Sequence, residues 1–139
     1  MTETLLDRIG THGLGVLVTL KRDGRPQLSN VTYVFDGSRV RVSLTDGRAK
    51  TKNLRRDPRA SVYVDGPRGR SYVVLEGKAE LSPVAADPYD DVVEDLVDYY
   101  RTASGEHPDW DEYRAAMVQD RRLMFSMAVD HAYGMPVPA

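Results

Sequence analysis

The 139-residue sequence predicts a mainly β fold, six short strands closed into a small barrel with α-helices at its periphery, and three observations carry the prediction. Short runs rich in branched apolar residues recur between turn signals, as in GLGVLVTL, KRDG, PQLSNVTYVF and DGS over residues 13–38. The segment SRVRVSLT alternates strictly, with Val40, Val42 and Leu44 on one face and Arg39, Arg41 and Ser43 on the other, as a half-buried strand does. Helical periodicity is confined to a short cationic stretch and to one longer acidic stretch, so helices decorate the sheet without forming a layer of their own. Closure into a barrel follows because it leaves no exposed sheet edge. The length fits one domain, residues 1–139, with a single core.

Taken in order, strands are expected over 13–20, 26–35 and 38–45. Residues 47–56 lack β-branched alternation and stop at Asp57-Pro58, because proline disfavours helical geometry in the residue before it; a short helix is expected there. Only Ala49 and Leu54 of that helix are apolar, so its other faces are expected to meet solvent or a ligand. Strands follow over 59–65 and 70–82, separated by GPRG, and Gly77 marks a bulge or bend. From 85 to 103 the period becomes helical, with Val92, Val93, Leu96, Val97 and Tyr100 under an acidic surface. SGEHPD ends that helix, and a second runs over 109–120 with Asp109 as its N-cap. The last strand is expected over 122–134, carried by the alternation of Leu123, Phe125, Met127 and Val129.

Composition removes several classes of function. With 41% hydrophobic and 29% charged residues the chain reads as globular, and its longest apolar run, Leu14 to Leu20, is too short to span a bilayer. The N-terminal MTETLLDRIG has no basic region followed by an apolar one, so a cytoplasmic protein without membrane association is expected. There is no cysteine, hence no thiol nucleophile, disulfide or iron–sulfur cluster. The histidines His12, His107 and His131 are far apart and form no ligand pair, so no metal site is expected. Gly13-Leu14-Gly15 lacks a third glycine and opens a strand, and neither a phosphate-binding P-loop nor a nucleophile-elbow motif occurs.

Charge is unevenly placed. Between Arg39 and Tyr72 ten basic residues face three acidic ones, whereas from Glu76 to Asp120 thirteen acidic residues face three basic ones. A basic patch on a protein of net charge -2 suits a small anion better than a nucleic acid. The patch centres on GRAKTKNLRRDPR, with Arg48, Lys50, Lys52, Arg55, Arg56 and Arg59. Charge alone is compatible with a solvated helix as well as with an anion site. Two features favour the anion: Arg48, Lys50 and Lys52 lie where free backbone N–H groups and the helix dipole already attract negative charge, and Asn53 follows Lys50 by three residues. Gln27, Ser29 and Asn30 form a second polar group on the second strand, and with Ser43 they suit the orienting positions of a mostly apolar pocket. His131 and Tyr133 are able to donate protons, but His131 reads first as a packed strand-end histidine, and Tyr99, Tyr100, Trp110 and Tyr113 read as core or interface aromatics.

The segments GRPQLSNVTYVFD, RVSLTDGRAKTKNLRRDPRASVYVD and YVVLEGKAELS, with the ending DHAYGMP, together resemble the pyridoxamine 5'-phosphate oxidase-like superfamily of split β-barrel flavoproteins. Within it the chain is most similar to the bacterial branch that uses the 5-deazaflavin coenzyme F-420. The resemblance implies a homodimer of two packed barrels with cofactor clefts at the subunit interface. By position it implies that Lys50 contacts the cofactor phosphate with help from Arg48 and Asn53, and that Asn30 and Gln27 approach from the second strand. Ser43 and Leu44 would lie along the ring system, partly through their backbones, and Lys52, Arg55, Arg56 and Arg59 would be candidates for the glutamate tail. The opposite subunit would approach near Arg70 and Ser71, where the turn is GPRGR and carries no aromatic residue.

The activity so implied is hydride transfer between deazaflavin C5 and a small organic substrate, with the hard chemistry supplied by the cofactor. No catalytic acid or base stands out, so a proton would come from solvent, from the substrate or from a tyrosine such as Tyr72 or Tyr133. The alternatives are an FMN-dependent oxidoreductase on the same fold and a non-catalytic F-420-binding protein.

Overall fold

A computed structural model describes residues 5–6, 9–66 and 71–135. The elements are β1 (His12–Leu20), β2 (Pro26–Phe35), β3 (Arg39–Thr45), α1 (Ala49–Arg56), β4 (Arg59–Asp65), β5 (Tyr72–Leu81), α2 (Asp91–Ser104), α3 (Trp110–Gln119), β6 (Arg122–Ala128) and β7 (His131–Met135). Antiparallel pairing runs β4-β1-β2-β3-β6-β5, and a β4–β5 ladder from Arg59↔Lys78 to Asp65↔Tyr72 closes the ring. The six-stranded barrel expected from the sequence is therefore present, with β7 added outside it on β5.

The barrel interior holds the alternating positions: Val40, Val42 and Leu44 of β3 meet Leu17, Val31, Tyr33, Leu75 and Phe125. The opposite face of β2 and β6 is also apolar where Val34 and Met124 lie, and α2 and α3 cover it with Val93, Leu96, Val97, Tyr113 and Met117. Two cores thus share one sheet, and the outward side chains between them are where a cavity opens.

Two expected elements differ. The 122–134 strand is two strands, because pairing with β5 shifts register between them: Ala79 faces Met127, but Glu76 faces His131, so four steps on one chain oppose three on the other. That is a bulge, and it sits across from Gly77, whose added Cβ would lie 2.3 Å from the Ala128 carbonyl oxygen. An irregularity is expected at Gly77 and a bulge is found beside it, but the extra residue belongs to the partner strand. The acidic helix begins at Asp91 and not at residue 85, because Asp90 caps it, its carboxylate accepting from the Val93 N–H. Pro88 lies just upstream, while Ala85 is buried ahead of the helix and held by a backbone bond from its N–H to the Arg122 carbonyl.

Helix α1 closes one end of the barrel, and it does so with polar as well as apolar groups. Leu54 enters the core, Thr51 is buried with its hydroxyl donating to the Thr45 carbonyl at 2.7 Å, and Asn53 is buried against β1. The Arg56 guanidinium donates to the Leu20 carbonyl at 2.6 Å. Backbone acceptors at strand ends, which no ladder satisfies, are what this poorly apolar helix binds.

Candidate functional site: a cationic cavity between sheet and helices

Residues far apart in sequence meet outside the barrel between β2, β3, β6 and the three helices. A cavity of about 350 Å³ is lined by Asn30 and Thr32 of β2, Ser43 of β3, Lys50 of α1, Tyr99 and Tyr100 of α2, Tyr113 and Met117 of α3, and Arg122 of β6. The pleat explains the strand contributions. Asn30 and Thr32 are outward partners of the inward Val31 and Tyr33, Ser43 is outward between Val42 and Leu44, and β3–β6 pairing sets Arg122 opposite Thr45.

Lys50 and Arg122 make no ion pair with a carboxylate among the described residues. Partial burial holds the Lys50 ammonium below the ordinary 10.5, and the positive charges of Arg48 and then Arg122 push the same way. Arg122 reaches Ser43 Oγ only at 3.4 Å through Nη1, and its Nε is buried with no hydrogen-bond partner among the described residues. A buried guanidinium N–H without an acceptor is costly, and it sits beside a second uncompensated cation. Both conditions are relieved by one anion.

The rest of the wall carries no charge, and on the helix side it is mainly aromatic. The Tyr99 hydroxyl donates to the Thr32 carbonyl at 2.5 Å and that of Tyr113 to the Leu96 carbonyl at 2.8 Å. Burial raises both phenols above 10.0, so they keep their protons at neutral pH. Tyr100 packs against Tyr113 and Trp110 with centroids 5.0 and 5.7 Å apart.

A second, larger and more open groove of about 730 Å³ runs along the other side of α1, lined by Lys21, Arg22 and Asp23 of the β1–β2 turn with Gln27, Ala49, Lys52, Asn53, Arg55 and Arg56. The sequence-derived candidates therefore divide. Lys50, Asn30 and Ser43 line the smaller cavity, whereas Gln27 and Asn53 line the groove. Arg48 is exposed at the N-cap of α1 without a side-chain capping bond and acts on Lys50 by charge. Leu44 is fully buried in the barrel, so its side chain lines neither depression. The Asn53 amide is already occupied, donating to Thr19 Oγ1 at 3.1 Å and accepting from Arg56 at 3.1 Å. Of the tail candidates, Lys52, Arg55 and Arg56 line the groove, while Arg59 is held by Asp57 at 2.8 Å and lines a separate depression with His131. Tyr72 stacks on Tyr63 with centroids 5.6 Å apart, and Tyr133 lines an apolar depression; neither reaches the Lys50 cavity. Ser71 is buried, and Arg70 lies outside the described residues.

Arg122 and the tyrosine wall escape a reading of the sequence alone. Arg122 carries one local signal, a basic pair opening a strand whose continuation is apolar.

A protein-family model described as pyridoxamine 5'-phosphate oxidase matches residues 1–135. The chain belongs to that family. Among solved structures, this family member is similar to an F420 reductase, with 25% identity, 94% of each chain covered and a TM-score of 0.65. It also shares its fold with a conserved hypothetical protein of Mycobacterium tuberculosis, at 24% identity and TM-score 0.70 over 100% of this chain and 91% of that one. A heme binding protein of Mycobacterium smegmatis has the same fold at 20% identity and TM-score 0.69, over 96% of this chain and 53% of that one. The family places a phosphate-bearing, planar redox group in question, and the cavity suits one: an orphaned guanidinium N–H and a free ammonium for the anion, with phenol-lined walls for a ring.

Proposed function

We propose that this pyridoxamine 5'-phosphate oxidase family member is a cytoplasmic, homodimeric oxidoreductase that uses coenzyme F-420, held by its phosphate between Lys50 and Arg122. The observation that carries the reading is the buried, partnerless Nε of Arg122 beside an ammonium already burdened by two neighbouring cations. A phosphodiester there would accept from both residues, and charge-assisted bonds of this kind are the strong ones. Asn30, Ser43 and the Thr32 edge of β2 supply orienting polar groups on the sheet side, and Tyr99, Tyr100 and Tyr113 exclude water on the helix side.

When bound, the deazaflavin supplies two-electron hydride exchange at C5 with a small organic substrate. The chain's own part is to bind, orient and keep dry. The buried phenols of Tyr99 and Tyr113 already donate to backbone carbonyls, so they act as fixed walls and not as proton donors. Proton exchange with the substrate falls to solvent or to the substrate itself.

F-420 is favoured over FMN by the second groove. Lys21, Arg22 and Lys52, with Arg56, extend the positive surface past α1, further than one phosphate needs and in keeping with a tail of glutamates. The similarity to an F420 reductase at 25% identity points the same way. The dimer rests on apolar exposure: Leu14 and Leu28 are 79% and 61% exposed, Tyr133 and Met135 are exposed as well, and Leu28 and Tyr133 line a depression with Val16, Val18, Tyr63 and Val74. A second copy would cover them.

Parallel equilibrium titrations with F-420 and FMN, on the wild type and Lys50→Ala, test the reading. F-420 is expected to bind more tightly, with a loss of roughly 10- to 100-fold in the variant, as one charge-assisted contact implies. Tighter FMN binding would move the protein to the flavin-dependent alternative, and binding of F-420 without reduction of any compound in a substrate panel would make it a carrier.

A further inference from the structure

We infer that Asp46 is a positioning residue for the anion site, holding Lys50 and Arg122 in register although it touches neither. This inference rests on the phosphate reading above. Asp46 lies in the β3–α1 connection, and its two carboxylate oxygens take different partners. One accepts from Arg55 of α1 at 2.6 Å; the other accepts from Arg121, at 2.8 Å from Nη2 and 3.2 Å from Nε. The backbone repeats the link, since the Asp46 N–H donates to the Arg121 carbonyl at 3.0 Å.

Arg121 is the residue immediately before Arg122, and it is held in an unusual state. Its φ of 54° is in the left-handed region, and it is the one non-glycine residue there among the described residues. A side chain that favours the wrong backbone basin needs its surroundings to hold it, and Asp46 supplies both a carboxylate and a main-chain clamp. Arg122, the next residue, then starts β6 with its guanidinium in the cavity. On its other side the same carboxylate grips Arg55, five residues beyond Lys50 on the same helix. One side chain therefore ties together the two elements that carry the two cations.

The alternative is that Asp46 merely neutralises surplus charge, and the two roles predict opposite signs. Removing a carboxylate beside a cationic cluster raises the local positive potential, so a purely screening Asp46, once neutral, would leave anions bound more tightly. A positioning Asp46, once neutral, lets the α3–β6 turn and α1 separate, and anions bind more weakly.

The test is affinity for paired ligands that differ in phosphate: FMN against riboflavin, and F-420 against its phosphate-free deazaflavin alcohol. The proteins are the wild type, Asp46→Asn and Arg121→Gly, each checked by thermal melting. Glycine accepts the positive φ without strain, so Arg121→Gly keeps the turn while removing the ion pair. The expected result is that both variants lose roughly tenfold of the preference for the phosphorylated partner, about the value of one charge-assisted contact, while binding the phosphate-free partner as before. A general weakening of the fold would lower both affinities together. Unchanged or tighter phosphate-dependent binding in Asp46→Asn overturns the inference while leaving the proposed site intact. No phosphate preference in the wild type removes both.

Discussion

Replacing Arg122 with methionine is expected to make the unliganded protein more stable and the liganded one less so. Methionine keeps an unbranched stem among the tyrosines and Met117 that line the cavity, and it deletes the guanidinium. What is lost without ligand is one long contact to Ser43 Oγ at 3.4 Å; what is relieved is a buried Nε with no acceptor. An unsatisfied buried donor costs about 1–3 kcal/mol, more if charged, whereas a hydrogen bond at that length contributes little. The net gain of about 1–2 kcal/mol corresponds to a rise in Tm of roughly 3–8 °C for a domain of this size. In the complex the same change removes a charge-assisted contact of about 1.5–3 kcal/mol, or roughly 10- to 100-fold in Kd. Calorimetric melts without ligand, paired with titrations of F-420, read both effects on one protein. A fall in Tm with unchanged affinity would show Arg122 to be a structural residue and refute the reasoning.

The remaining expectations concern the frame around the site. Asn53→Ala strips the buried Thr19 hydroxyl and the Arg56 guanidinium of a partner, and a loss of about 1–3 kcal/mol in denaturant unfolding is expected, with less than half of one contradicting its role as the clasp of α1 on β1. Gly77→Ala brings a methyl to 2.3 Å from the Ala128 carbonyl at the β6–β7 bulge, so either the bulge moves or stability falls by about 1–3 kcal/mol, read from melts; an unaltered Tm would contradict the close approach. Acid sensitivity follows from Asp57, whose carboxyl is pulled from 3.8 to about 2 mainly by the Arg59 side chain, and from Asp46, lowered by Arg121 and Arg55. The native state binds fewer protons than the unfolded one, so this stability is whole above about pH 4 and is lost as the pH falls toward 2; a flat Tm over that window would contradict it.

The parts of the fold that were legible in the sequence are those whose cause is local. Strand β3 announces itself because Val40, Val42 and Leu44 all point into one core, and α1 ends at Asp57-Pro58 for a reason confined to two residues. Asp109 caps α3 as its position implies, accepting from the Glu112 N–H. The β6–β7 break was not legible, since alternation continues through Val129 and the bulge is imposed by pairing with β5 across Gly77. The start of α2 was misplaced because Ala85 joins the apolar pattern for a tertiary reason, while Pro88 and Asp90 carried the local boundary. In the site, Lys50, Asn30 and Ser43 were visible as polar residues among strand and helix signals, and they do share a cavity. Asn53 and Gln27 lie on the far side of α1, a division that spacing along one helix does not reveal. Arg122 and Tyr99 join the site only through the β3–β6 ladder and the packing of α2 on the sheet, contacts between residues dozens of positions apart.

The central claim is that one phosphate lies between Lys50 and Arg122, on the sheet-and-helix side of α1. A crystal structure of the protein saturated with F-420 tests it most directly. The phosphodiester is expected within hydrogen-bond reach of the Lys50 ammonium and the Arg122 Nε, with the ring against the Asn30 and Ser43 strands. A phosphate seated instead in the Lys21 and Lys52 groove, with Arg122 Nε still without a partner, would contradict it.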